Sequence, residues 1–88
     1  MGSIEVTILG QKYTVRGDES EDYMKKLAVF VDNELRKVYN SAPNITPLKA
    51  AILASLNIAD ELQKLKEAQD SITRNIEEKA NTLAELFD

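Results

Sequence analysis

Residues 47–87 read PLKAAILASLNIADELQKLKEAQDSITRNIEEKANTLAELF, with no glycine anywhere and no proline after Pro47. Thr46 precedes this run as a good helix N-cap. Pro47 follows at the first helical position, where its missing N–H costs little. The pattern predicts one helix of about forty residues, roughly 60 Å long at the α-helical rise. Its first part, 47–62, is dense in Leu, Ile and Ala and belongs in a packed core covered on more than one side. From 58 to 87 the apolar residues narrow to a stripe. Ile58, Leu62, Leu65, Gln69, Ile72, Ile76, Lys79, Leu83 and Leu86 recur at alternating steps of four and three. That is a heptad repeat over about four heptads and predicts a coiled coil. Gln69 and Lys79 interrupt the seam, and polar seam residues lower stability while fixing register and strand number. Ile and Leu mix without a clean two-strand preference, and Ala68 and Ala80 widen the strip. Two-helix and four-helix assemblies both fit.

Outward from this helix, Ser41 to Ile45 form a break, with Pro43 disfavouring continued helix. Before the break, Tyr23, Leu27, Phe30, Val31, Leu35 and Val38 recur at helical spacing, which predicts an amphipathic helix over about 20–40. Asp18 or Ser20 is positioned to cap it, and Glu21 and Asp22 suit the positive end of its dipole. This helix is about half as long as the second, so it leaves part of the second helix's stripe for another chain.

At the N-terminal end, Ile4, Val6 and Ile8 alternate with Glu5 and Thr7, and Tyr13 and Val15 alternate with Lys12, Thr14 and Arg16. Period two with β-branched residues predicts strands. A Gly10–Gln11 link joins them into a β-hairpin over 4–16, with Gly10 in the positive-φ position of a type II′ turn. The fold class is therefore α+β: a head over 1–45, made of hairpin and helix, then a long helix over 46–88. The head is too small to stand alone.

Composition excludes several functions. The chain of 88 residues has no cysteine and no histidine, so disulfides, thiolate ligands and imidazole ligands or bases are all absent. Glycines stand alone at positions 2, 10 and 17, which leaves no phosphate-binding loop. The carboxylates of Asp60, Glu61, Glu77 and Glu78 are sequence neighbours that point apart on a helix. An enzyme is not expected, and neither is a cofactor or a metal. A formal net charge of -4 with dispersed basic residues argues against nucleic acid. No apolar run of about eighteen residues exists to span a membrane. The opening residues lack the layout of a secretory signal, and the absence of cysteine fits a cytoplasmic protein. In the apolar stretch, Asn57 is the single amide, and it reads either as a buried polar group that fixes helix register or as a cap-like contact to the hairpin or the first helix.

Three segments resemble the ZapA family. Ile4 to Val15 resembles its opening hairpin with a central glycine. Ala28 to Leu35, with Val31 and Asp32 within it, resembles its first helix. Ala54-Ser55-Leu56-Asn57-Ile58-Ala59-Asp60-Glu61-Leu62 is similar to its most recognisable stretch. The likeness covers nearly the whole chain, in the same order and spacing.

The resemblance implies a job. Heads dimerise, and dimers pair through antiparallel coiled coils into tetramers. Each end holds a filament of FtsZ, so the assembly binds and bundles filaments at the division site in the cytoplasm. The resemblance places FtsZ contact on the head, around the hairpin and first helix. The matching positions are Gln11, Lys12, Thr14 and Arg16, with Arg36, Lys37 and Lys49 as further positive candidates. An acidic filament then meets a local basic patch. A generic coiled-coil adaptor with another protein partner shares the same architecture.

Overall fold

The computed structural model describes residues 2–87. Four elements follow in order: β1 (Gly2–Ile8), β2 (Gln11–Gly17), α1 (Glu21–Ser41) and α2 (Pro47–Glu85). The strands pair antiparallel, with Ile4 opposite Val15, Val6 opposite Tyr13 and Ile8 opposite Gln11. Cross-strand partners share a face. Ile4, Val6, Ile8, Tyr13 and Val15 therefore make one apolar side, and Glu5, Thr7, Lys12, Thr14 and Arg16 the other.

The turn is displaced from its expected place. Its two central residues are Leu9 and Gly10, not Gly10 and Gln11, and both have positive φ, 51° and 77°. Two consecutive positive values make a type I′ turn, whose twist matches the flanking strands. Gly10 adopts this at no steric cost, whereas a leucine there costs about 1–2 kcal/mol. Something else must hold Leu9. Its N–H donates to Asp32 Oδ1 on α1 at 2.6 Å.

Ser20, rather than Asp18, caps α1: its backbone is extended and its Oγ accepts from the Tyr23 N–H at 3.2 Å. Glu21 and Asp22 lie in the first turn, where the dipole favours them. At the other end the Ala42 N–H returns to the Val38 carbonyl at 2.9 Å, and Pro43 follows. The Thr46 carbonyl accepts the first helical bond of α2, from Ala50 at 2.9 Å. Leu86 and Phe87 lie beyond α2 in a turn closed by i→i−3 bonds to Leu83 and Ala84. The last expected seam position therefore lies outside the regular helix, where orphan carbonyls tighten the final turn.

Two small clusters form the core. Ile4 and Val6 bury against Ala28, flanked by Ile8, Val15 and Met24. Val38 buries against Ala50 and Ala54, flanked by Leu35, Tyr39 and Ile45. Alanine at the three helical positions lets backbones approach closely. No large side chain among the described residues is completely buried. The packed face of α2 runs through Ala50 and Ala54, with Ile58 half-buried one turn further on, and Asn57 is exposed rather than buried as its place in the apolar stretch suggests.

Contacts divide the chain into two compact units, Met1–Asn57 and Ile58–Asp88. The first holds the hairpin, α1 and the start of α2. The second holds the remainder of α2 and every expected seam residue.

Candidate functional site

In the first unit the hairpin's polar face carries three of the four hairpin candidates. Lys12, Thr14 and Arg16 alternate along β2 and project to one side, all exposed. Gln11 is also exposed but shares the face of Tyr13 and Val15, opposite to Lys12. The Tyr13 hydroxyl donates to Gln11 Oε1 at 2.8 Å. The structure thus brings Lys12, Thr14 and Arg16 together and sets Gln11 apart. Lys12 reaches Glu5 diagonally across the strands at 3.8 Å, with both side chains largely exposed. Such a pair contributes little and leaves Lys12 free to exchange partners.

The helical candidates differ from one another. Arg36 Nε donates to Asp32 Oδ2 at 2.8 Å. The Asp32 side chain is only 19 % exposed. Hydrogen bonding from Arg36, and then from the Leu9 N–H, holds its carboxyl below the ordinary 3.8. Lys37 Nζ lies 3.3 Å from Glu34 Oε1, and Glu34 is the one buried charged residue among those described. Lys49 is exposed on the first turn of α2. Arg36 and Lys37 are therefore engaged in holding acidic groups of their own helix. Arg16 and Lys49 carry no ion pair to a described residue.

A second feature of this unit is apolar. Val6, Ile8, Tyr13, Val31, Leu35 and Ala51 are among the residues lining a groove of about 560 Å³ between the hairpin's apolar face and the helices. Tyr23, Leu27 and Phe30 form an exposed stripe on α1, one step around from the half-buried Met24 and the buried Ala28. On α2, Leu48, Ile52, Leu53 and Leu56 are exposed as well. The expected cover on more than one side of 47–62 is thus absent within a single chain, because α1 reaches only the Ala50–Ala54 face.

In the second unit, Ile58 is half-buried and the other seam positions, Leu62 to Leu86, are exposed. Lys64 pairs with Asp60 at 3.0 Å, one helical turn apart and away from the seam. The Thr82 hydroxyl is turned back onto the Glu78 carbonyl at 2.9 Å.

Among the described residues no three acidic side chains gather as a metal-binding group, and no helix is long and apolar enough to cross a membrane. Sequence reasoning missed Asp32 as a structural centre. Its signal was present only as part of the Val31-Asp32 pair in the first-helix likeness.

Comparison with known proteins bears on the family and the fold. The family model described as cell division protein ZapA matches residues 4–87. A cell division protein ZapA of Bacillus licheniformis is 35 % identical over 74 residues, covering 84 % of this chain and 87 % of the relative. One from Halalkalibacterium halodurans is 39 % identical over 62 residues, covering 70 % and 68 %. Among solved structures, a ZapA mutant dimer from Geobacillus stearothermophilus superposes with a TM-score of 0.67 at 32 % identity, covering 86 % of this chain and 88 % of that one. A protein described as an unknown conserved bacterial protein from Pseudomonas aeruginosa PAO1 superposes with a TM-score of 0.80 at 25 % identity, covering 100 % and 98 %. With its hairpin, its two helices and nearly its full length accounted for in this way, the chain belongs to the ZapA family of cell division proteins.

Proposed function

We propose that this protein is a non-enzymatic, self-associating division protein that binds FtsZ filaments and cross-links them. The observation that carries the reading is the quantity of apolar surface one chain leaves open. Among the described residues, seventeen large apolar side chains are exposed, against six buried apolar residues in the core. A core of that size does not offset the ordering of so long a chain. A second copy at the first unit, and further copies along the seam, supply the missing cover. The solved mutant dimer from the Geobacillus relative supports the first step.

The seam residues supply the second step. With Ile58 taken as a d position, Leu62, Gln69, Ile76 and Leu83 fall at a, and Leu65, Ile72, Lys79 and Leu86 at d. Pairing two dimers along this seam gives an assembly with more than one filament-binding head. Bundling requires such valency, since one head per assembly binds without cross-linking. Lys12 and Arg16, with Thr14 between them, form the binding face on each head. Gln11, on the opposite face of the strand, and Arg36, Lys37 and Lys49 on the helices are the further candidates, with Arg36 and Lys37 engaged by Asp32 and Glu34. Work of this kind places the protein at the division site.

The test is co-sedimentation with FtsZ assembled by GTP, at low and at moderate salt. The expected result is pelleting with the polymer, more bundle mass, and weaker binding as salt screens the exposed charges. A protein that stays in the supernatant at both salts, beside normally assembling FtsZ, refutes the filament reading and leaves an adaptor for another protein partner.

A further inference from the structure

The tip of the hairpin is held by a three-residue clasp that spans two elements. In a two-residue hairpin the closing pair is Ile8 with Gln11. The N–H groups of the two turn residues lie outside the ladder and need partners elsewhere. Leu9 finds one in Asp32 Oδ1 at 2.6 Å, a short charge-assisted bond. The other carboxylate oxygen accepts from Arg36 Nε at 2.8 Å. Arg36 fixes Asp32, and Asp32 fixes Leu9 in the left-handed conformation a leucine otherwise avoids. Lys12 follows two residues after the turn glycine.

The packing shows why this matters. The buried cluster on the hairpin consists of Ile4 and Val6 against Ala28, with Met24 beside it. At the tip, Ile8 is only half-buried, and Leu9 is 37 % exposed. Apolar packing therefore grips the body of the hairpin, while the clasp fixes its tip to α1. We propose that Asp32 is a positioning residue for the filament-binding face: it locks the Leu9–Gly10 turn onto α1 and so sets the orientation in which Lys12 and its neighbours are presented. Arg36 acts through Asp32 and not by touching the partner. This inference rests on the filament-binding reading above.

The clasp makes a prediction that a general structural role does not. Asn-Gly adopts the type I′ turn by itself, so Leu9→Asn makes the turn less dependent on Asp32. The experiment uses the full chain as wild type, Asp32→Ala, Arg36→Ala, Lys12→Ala, and Asp32→Ala or Lys12→Ala combined with Leu9→Asn. Amide hydrogen exchange is followed by NMR without any partner, and co-sedimentation is measured with GTP-assembled FtsZ. The expected result for Asp32→Ala is exchange at the Leu9 amide at least about tenfold faster, with Ile4 and Val6 unchanged, and a several-fold loss of pelleting. Arg36→Ala moves both readouts the same way. Leu9→Asn restores pelleting to Asp32→Ala but not to Lys12→Ala. If the alanine variant does not fold, Asp32→Asn, which keeps an acceptor toward Leu9 but not the charge, is expected to give intermediate exchange and pelleting.

Unchanged exchange at Leu9 in Asp32→Ala, or pelleting equal to wild type, overturns the inference. So does loss of pelleting in Arg36→Ala with wild-type exchange at Leu9, which marks Arg36 as a direct contact. A wild-type protein that never pellets refutes the filament reading and the purpose assigned to the clasp, while Leu9 exchange still decides whether the clasp exists.

Discussion

Replacing Ile76 with glutamate tests the seam where the proposed assembly depends on it. Ile76 sits near the middle of the second unit's stripe and is 63 % exposed in the single chain. Complete burial of an isoleucine side chain contributes about 1.5–3 kcal/mol. Covering the exposed remainder therefore contributes about 1–2 kcal/mol per chain, or roughly 4–8 kcal/mol across four chains. At about 1.4 kcal/mol per tenfold, the lost apolar contact alone weakens tetramer formation by roughly three to six orders of magnitude. The carboxylate adds to this, because a charge facing an apolar seam is either desolvated or keeps the helices apart. Glutamate is a good helix former, so α2 itself persists. The assay is light scattering coupled to size exclusion over about a hundredfold range of concentration. Ile76→Glu is expected to lose the largest species and keep the helical circular dichroism of its folded heads. Glu78→Ala, one step off the seam, is expected to behave as wild type. A mutant of Ile76 that elutes at the wild-type mass throughout refutes the coiled-coil assignment.

Four further outcomes follow from the geometry. Gly10→Ala meets nothing within 4 Å, so its cost is purely that of the backbone at φ +77°, about 1–2 kcal/mol by urea denaturation. Ala50→Leu inserts a larger side chain at a position with 0 % exposure beside Val38 and Ala54, and overpacking there lowers stability by about 1–3 kcal/mol in the same assay. The Asp32 carboxyl is depressed below 3.8 in the folded chain, so its stabilising effect is present above that value and is lost as pH falls through the lower folded pKa. An acid titration of stability is expected to show this component in the wild type and not in Asp32→Asn. Finally, the melting temperature is expected to rise with protein concentration, and a concentration-independent value argues against self-association as the source of stability.

The helical part of the fold was legible because its signals are redundant. Pro47 marks a start, no later glycine or proline interrupts, and the four-three spacing runs on to Leu83 inside α2. The hairpin was legible only in outline. Alternation places Ile4, Val6 and Ile8 on one face whether the turn is Leu9–Gly10 or Gly10–Gln11, because moving the pairing by two positions preserves every face. The choice between them depends on Asp32, twenty-three residues away along the chain. No local pattern carries such a contact. For the same reason Arg36 and Lys12 look alike in the sequence. One proves to be engaged with a neighbouring carboxylate on its own helix, and the other stands on an open strand face. Asn57 differs for a related reason: its apolar neighbours suggest burial, but α1 meets α2 only through its last turns, with Leu35, Val38 and Tyr39 against Ala50 and Ala54, which leaves Asn57 exposed.

These features tie folding to association. Each small cluster is built from alanine and a few β-branched residues, with no large side chain completely covered. Alanines at 28, 50 and 54 bring backbones close but remove little apolar area from water. The larger side chains that would supply that area, Leu27 and Phe30 on α1 and Leu48, Ile52 and Leu56 on α2, face outward. A monomer with this distribution gains specificity from its core and little net stability. The same outward residues are the ones a second copy can bury, so the contacts that complete the fold are those that make the oligomer. A change among these outward residues of the first unit is then expected to act on folding and valency together, a change at the seam on valency with the heads left folded, and a change on the proposed Lys12–Arg16 face on partner binding alone. That separation is what lets the seam and the basic face be dissected one at a time.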